Sequence, residues 1–267
     1  MKITLISTVF PYPNQGIMFG IERHVSEYSL ALKQAGHSLT VITTFWNGMC
    51  DAVVCLSEDG KKCLIEEYGV DSEKIYFIPH GVDLNVFKPS ENSAGTSDML
   101  KLLYLGVLEK RKGVIHLLKA FVDCPDLRKC AYLEIAGAGS MRKKLESFVF
   151  RNGIQNRVKF LGRVDDATVP SLYRACDVFV FLTLQEGFGF PTIEAMAFGK
   201  PVIASRLPVL EEIMGFVETG VSESVAKAIL NLADNPGLRT ALCLQGRKKA
   251  ETIYALGCDR RTNGIFV

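Results

Sequence analysis

Glu186 and Glu194 stand at the two ends of the run EGFGFPTIE. The residues between them are too apolar for an ordinary surface loop and too glycine-rich for an ordinary strand. The run DVFVFLT comes before and PTIEAMAFG after, and Pro191 suits the first turn of a helix, where a missing N–H costs nothing. The two acids therefore flank a strand-to-helix turn. Such a turn offers unpaired backbone N–H groups and the positive end of a helix dipole, a natural seat for phosphate. Gly187 and Gly189 let a ligand approach the backbone. With phosphate held by amides, the carboxylates can accept hydrogen bonds from hydroxyls, as on a sugar and a ribose. A loop acid and a first-turn helix acid are each common on their own, so the pair alone does not decide the chemistry.

The elements that must position this turn are legible as a strand-then-helix rhythm. Apolar runs predict strands at Lys2–Ser7, Ser38–Thr44, Ala52–Ser57, Lys74–Ile78, Lys101–Leu105, Ala131–Ala136, Val158–Leu161, Asp177–Leu182 and Pro201–Ser205. Most are apolar throughout, as parallel strands covered on both faces are. Amphipathic stretches lie between many of them. In the first, Ile21, Val25, Tyr28 and Leu32 share one face and Gly36 follows as a stop. The alternation predicts α/β layers with parallel sheets.

The polar stretch KPSENSAGTSDM, Lys88–Met99, interrupts the rhythm and reads as a linker. The chain then divides into an N-terminal lobe at 1–88, a linker at 89–100 and a C-terminal lobe at 101–267. The second lobe has strands enough for a doubly wound sheet. The first is incomplete after residue 44, because only FWNGMCD separates two of its strands and a parallel crossover ordinarily takes about a dozen residues or more.

Composition excludes some function classes. The chain has 267 residues and a formal charge of +2, so no global field attracts nucleic acid or an anionic membrane. The basic triplets Lys110–Lys112, Arg142–Lys144 and Arg247–Lys249 lie on separate elements without interleaved aromatics and read as solvated faces. The eight cysteines form no C-x-x-C pair and read as reduced core thiols, the pattern of a cytoplasmic protein. Pro11 and Pro13 cut the N-terminal apolar stretch short, so neither a signal peptide nor a membrane span is expected. None of His24, His37, His80 and His116 has a partner at metal-ligand spacing.

The segment EGFGFPTIEAMAFGKPVIAS resembles the E-x7-E signature of glycosyltransferase family 4, the retaining enzymes of GT-B fold. FGIERHV, IPHGVDLNVF, KGV, IAGAGSMRKKLE and VKFLGRVDDATVPSLYRACDVFV follow the family's order. The resemblance covers most of residues 1–199. It implies two Rossmann-like doubly wound lobes facing a cleft, the second holding a nucleotide-sugar donor and the first receiving the acceptor. The implied reaction is retaining transfer of a hexose from a UDP- or GDP-sugar to a sugar, lipid-linked or other hydroxyl acceptor. No cofactor or metal is implied, and the setting is cytoplasmic or the inner membrane face, with peripheral membrane contact open.

Carried over residue by residue, the family pattern makes Lys112 and Glu186 the catalytic pair, with Lys112 neutralising the diphosphate. The donor would lie among Gly20, Arg111, Lys112, Gly139, Arg163, Val164, Glu186, Gly187, Phe188, Gly189, Phe190, Pro191, Thr192 and Glu194, the last at the ribose. Gly139 in AGAGS and Arg163 also fit a plain turn and a solvated loop. On this reading replacing Lys112 reduces turnover more than it disturbs folding. Two departures stand out. Val107 follows Gly106 where the family carries an arginine, and the region after Thr44, which in relatives builds much of the acceptor lobe, has no counterpart. The alternative is an inactive or truncated nucleotide-sugar-binding member of the same family; an epimerase of similar fold fits the E-x7-E spacing less well.

Overall fold

The computed structural model describes residues 2–6, 38–42, 52–77, 81–89, 99–213 and 222–255. Strands form at all nine predicted runs: β1 (Lys2–Ile6), β2 (Ser38–Ile42), β3 (Ala52–Cys55), β4 (Ile75–Phe77), β5 (Leu100–Leu105), β6 (Ala131–Ala136), β7 (Val158–Gly162), β8 (Val178–Phe181) and β9 (Val202–Ala204). The predicted helix around Ile21–Leu32 and the candidate Gly20 lie outside the described residues. The chain divides into two compact units, one of Met1–His80 with Cys258–Val267 and the other of Gly81–Gly257.

In the first unit a parallel sheet has the order β2-β1-β3-β4. Ile3 of β1 is in register with Leu39 on one side and Ala52 on the other, so residues 43–51 lead from one flank of β1 to the opposite one. After β3, Ser57 caps helix α1 (Glu58–Glu66), its Oγ accepting from the Gly60 N–H at 2.9 Å. Val53, Cys55, Val70 and Ile75 form a small core with Leu64 packed against it.

The second unit carries a five-stranded parallel sheet in the order β7-β6-β5-β8-β9. Leu102 of the central β5 pairs with Leu133 on one side and Val178 on the other. The chain therefore winds outward from β5 through β6 and β7, then returns to β8 and β9. The helices are α2 (Val114–Asp123), α3 (Leu127–Cys130), α4 (Arg142–Arg151), α5 (Val169–Ala175), α6 (Phe190–Ala197), α7 (Pro208–Ile213), α8 (Ser222–Asp234) and α9 (Pro236–Ile253).

Helix α2 illustrates how the sequence builds these layers. Val114, Leu117, Leu118 and Phe121 recur at helical spacing and are all buried, each burial stabilising by roughly 2 kcal/mol. The helix ends at Cys124, ahead of Pro125, a residue that disfavours helix before it. Every residue of β8 is buried.

Residues 81–89 cluster with the second unit. The Val82 N–H donates to the Tyr254 carbonyl at 2.6 Å and Val82 forms a parallel bridge with Ala255. Phe87 packs on Phe198 with ring centroids 5.5 Å apart, and Arg247 donates to the Phe87 carbonyl at 2.9 Å. Among the described residues no helix is long and apolar enough to cross a membrane.

Candidate functional site

In an open parallel sheet, ligands bind at the carboxyl ends of the strands where the winding reverses. Here that point lies between β5 and β8, and the loops leaving these two strands carry Lys112 and Glu186. Their backbones meet directly. The Leu184 N–H donates to the Arg111 carbonyl at 2.7 Å, and the Thr183 hydroxyl lies 3.3 Å from the same carbonyl. Gly113 makes the approach possible. Its φ is +63°, and a Cβ there would lie 1.8 Å from the Leu182 carbonyl oxygen, a distance no side chain tolerates.

Held this way, Lys112 and Glu186 form a buried ion pair: Nζ to Oε2 is 2.6 Å, with the side chains 11% and 7% exposed. The other carboxylate oxygen of Glu186 accepts from the Gly187 N–H at 3.1 Å. One carboxylate thus bridges a fixed ammonium and the first amide of the glycine-rich turn. Lys112 Nζ also sits 5.1 Å from the centre of the Phe181 ring. Burial pulls the Lys112 ammonium below its ordinary 10.5; the facing carboxylate opposes that shift without cancelling it.

Beyond Glu186, the turn enters α6 through Gly189, whose φ is +89°, with Pro191 in the first turn as expected. Phe188 and Phe190 are 2% and 7% exposed and pack on each other at 5.9 Å, with Tyr254 beside Phe188 at 6.2 Å. Their side chains anchor the turn, which leaves the main chain as the part able to meet a ligand. Buried Thr192 donates its hydroxyl to the Gly189 carbonyl at 2.5 Å, so that proton is committed to the turn itself. Glu194, on the next turn of α6, accepts from the Tyr173 hydroxyl at 2.8 Å.

The remaining candidates spread along the same sheet edge. Gly139 follows β6, and a Cβ there would lie 2.4 Å from the Leu108 carbonyl oxygen; its backbone contact with the β5 loop explains the glycine without any ligand. Leu108 itself is fully buried and bonded to both Ala138 and Met141. Arg163 and Val164 follow β7, the first exposed and the second half-buried. Arg111 pairs with Glu109 at 3.0 Å in an exposed bridge. The Val107 carbonyl accepts from the Tyr104 hydroxyl at 3.0 Å. The structure thus joins Lys112, Glu186 and Gly187 in one cluster and Glu194 with Pro191 in another. Tyr173 is the residue sequence reasoning missed: its hydroxyl reaches both the Pro191 carbonyl, at 3.1 Å, and Glu194. Among the described residues no three of His, Cys, Asp and Glu group as metal ligands.

A cationic side chain, a helix start and two carboxylates at a winding reversal can together bind a phosphorylated, hydroxyl-bearing ligand. The family pattern described as glycosyl transferases group 1 matches residues 89–249, and that of glycosyltransferase family 4 matches residues 45–86. The chain belongs to the glycosyl transferases group 1 family. An uncharacterized glycosyltransferase of Methanocaldococcus jannaschii is 28% identical over 238 residues, covering 83% of this chain and 60% of the relative. This group 1 chain spans about half the length of the curated relatives it matches. Among solved structures, Anabaena HepE in complex with UDP-glucose superposes with a TM-score of 0.74 at 18% identity, covering 96% of each chain. The C-terminal domain of a group 1 protein, LpcC of Francisella tularensis, gives 0.59 at 27% identity, covering 66% of this chain and all of that one. The fold is of the GT-B type.

Proposed function

We propose that this protein is a retaining glycosyltransferase that moves a hexose from a UDP- or GDP-sugar to a hydroxyl acceptor, with the donor held by the second unit. The observation that carries the reading is the 2.6 Å contact of Lys112 with Glu186 at the winding reversal, beside the start of α6. As the bond to the leaving nucleotide breaks, negative charge grows on the diphosphate. A fixed ammonium and the amides at the start of α6 stabilise that charge, a role that asks for no metal or cofactor. Glu194 accepts the ribose hydroxyls and Glu186 a hydroxyl of the transferred sugar; the backbone from Gly187 to Thr192 follows the sugar and phosphate. Gly139, Arg163 and Val164 border the nucleotide, and Gly20 belongs to the first lobe's approach to the phosphates. Support comes from the complexes of the relative HepE with UDP and with UDP-glucose. The acceptor, a sugar, a lipid-linked sugar or another hydroxyl compound, falls to the first lobe, in the cytoplasm or at the inner membrane face.

A second reading, a nucleotide-sugar-binding member without turnover, is favoured by Val107 standing in place of a cation and by Arg111 being paired with Glu109. Losing one charge-assisted contact to a phosphate costs about 1.5–3 kcal/mol. Titration calorimetry with UDP and GDP, followed by donor hydrolysis and transfer assays, separates the two. Binding with turnover supports transfer, binding without turnover supports the second reading, and absence of binding to either nucleotide refutes both.

A further inference from the structure

Tyr173 is fully buried, yet its hydroxyl serves no purpose that packing alone would need. The ring stacks on Phe198 at 5.5 Å and 20° and tilts against Phe179 of β8 at 5.3 Å; a phenylalanine would fill the same space. A buried hydroxyl is costly unless partnered. Its single proton has two acceptors within reach, and both belong to α6: Glu194 Oε2 at 2.8 Å, the shorter and charged one, and the Pro191 carbonyl at 3.1 Å. The end of α5 that carries Tyr173 is itself clamped. Cys176 Sγ donates to the Tyr173 carbonyl at 3.3 Å, and Lys200 Nζ to the Arg174 carbonyl at 2.9 Å.

We propose that Tyr173 is a positioning residue for nucleotide recognition: its hydroxyl fixes the Glu194 carboxylate against the first turn of α6, in the orientation from which that carboxylate accepts ribose hydroxyls. This rests on the ribose reading of Glu194 given above. A glutamate side chain loses considerable rotamer freedom when it is ordered, and a tether to a rigid aromatic cluster removes that freedom before the ligand arrives. A carboxylate has about four acceptor positions and Glu194 is half-buried, so a tether at Oε2 is compatible with a ribose at the same group. Burial, and after it the Glu194 charge, holds the Tyr173 phenol well above its ordinary value of 10, so it remains a donor at neutral pH.

The test is the ratio of affinities for the ribonucleotide and its 2′,3′-dideoxy analogue, using whichever of UDP and GDP binds more tightly. Titration calorimetry on wild type, Tyr173→Phe, Glu194→Ala and the double variant gives it. Because each ratio is taken on one protein sample, a lowered folded fraction cancels. Wild type is expected to prefer the ribonucleotide about ten-fold. Tyr173→Phe should cut that preference at least three-fold while leaving the dideoxy affinity unchanged, and the double variant should match Glu194→Ala alone, since the two act as a unit. Tyr173→Phe with the full preference, beside a Glu194→Ala that has lost it, overturns this inference and spares the ribose reading. An undiminished preference in Glu194→Ala, or none in wild type, overturns both.

Discussion

Lys112 holds a charge where charge is expensive. Reading the sequence alone, its replacement should touch turnover and spare the fold; the buried pair with Glu186 changes that expectation. Removing one partner strands the other in a poorly solvated place and costs about 3 kcal/mol or more, so Lys112→Ala mixes a functional loss with a stability loss. A pH titration avoids the mixture. Burial draws the Lys112 pKa below 10.5, so the ammonium of the free protein gives up its proton before an ordinary lysine would. A neutral amine cannot neutralise a diphosphate, so nucleotide affinity should fall as pH rises through that lowered value, up to about ten-fold. The midpoint of the fall should lie below pH 10.5. In Lys112→Arg the charge persists across this range and the decline should vanish; calorimetry from pH 7 to pH 10 on both proteins checks it. A decline of equal size in the arginine variant would assign it to another group.

At the scale of elements, two loops leaving β5 and β8 have to touch, and Gly113 is the point of contact. Gly113→Ala would place a Cβ 1.8 Å from the Leu182 carbonyl and hold alanine at a φ of +63°. Left-handed backbone alone costs alanine about 1–2 kcal/mol, and the clash must be relieved by parting the loops. The expected result is a melting temperature lower by roughly 5 °C or more, with nucleotide affinity reduced beyond what the folded fraction explains. Unchanged affinity in the folded variant would mean that the loop contact does not set the Lys112 position. The strands on either side of this contact were legible because VFVFLT and its counterparts are apolar without interruption, which only a sheet covered on both faces demands. Glycine in KGV and proline after GFGF were equally legible as local punctuation. The Lys112–Glu186 contact and the Tyr173–Glu194 bond were not, because no spacing rule joins residues on different strands of a wound sheet. In VPSLYRAC the tyrosine reads simply as one more apolar residue on a helix face. The commitment of the Thr192 hydroxyl to Gly189, three residues back, is by contrast a local pattern that the sequence could have suggested.

For the molecule as a whole, the division after His80 matters most. The second unit contains the entire core around β5, the five-stranded sheet and each described donor-site candidate. The C-terminal domain of LpcC, which matches this chain over 66% of its length, was crystallised by itself. Residues 81–255 expressed alone should therefore fold cooperatively and bind the preferred nucleotide within about three-fold of the full chain, a difference under 1 kcal/mol. A loss of ten-fold or more, measured by the same calorimetry, would show that the first unit contributes to nucleotide binding. Transfer to an acceptor, in contrast, should be lost from the isolated unit.

The pairing of Val82 with Tyr254 and Ala255 makes the two described ends of this unit neighbours. Adjacent ends allow a chain to be closed and reopened elsewhere. A short bridge from 255 to 81 with a new opening at the exposed Gly153 turn would rewire the backbone without moving a strand. By the same geometry, this unit can be grafted between proteins as a single cassette through its paired ends.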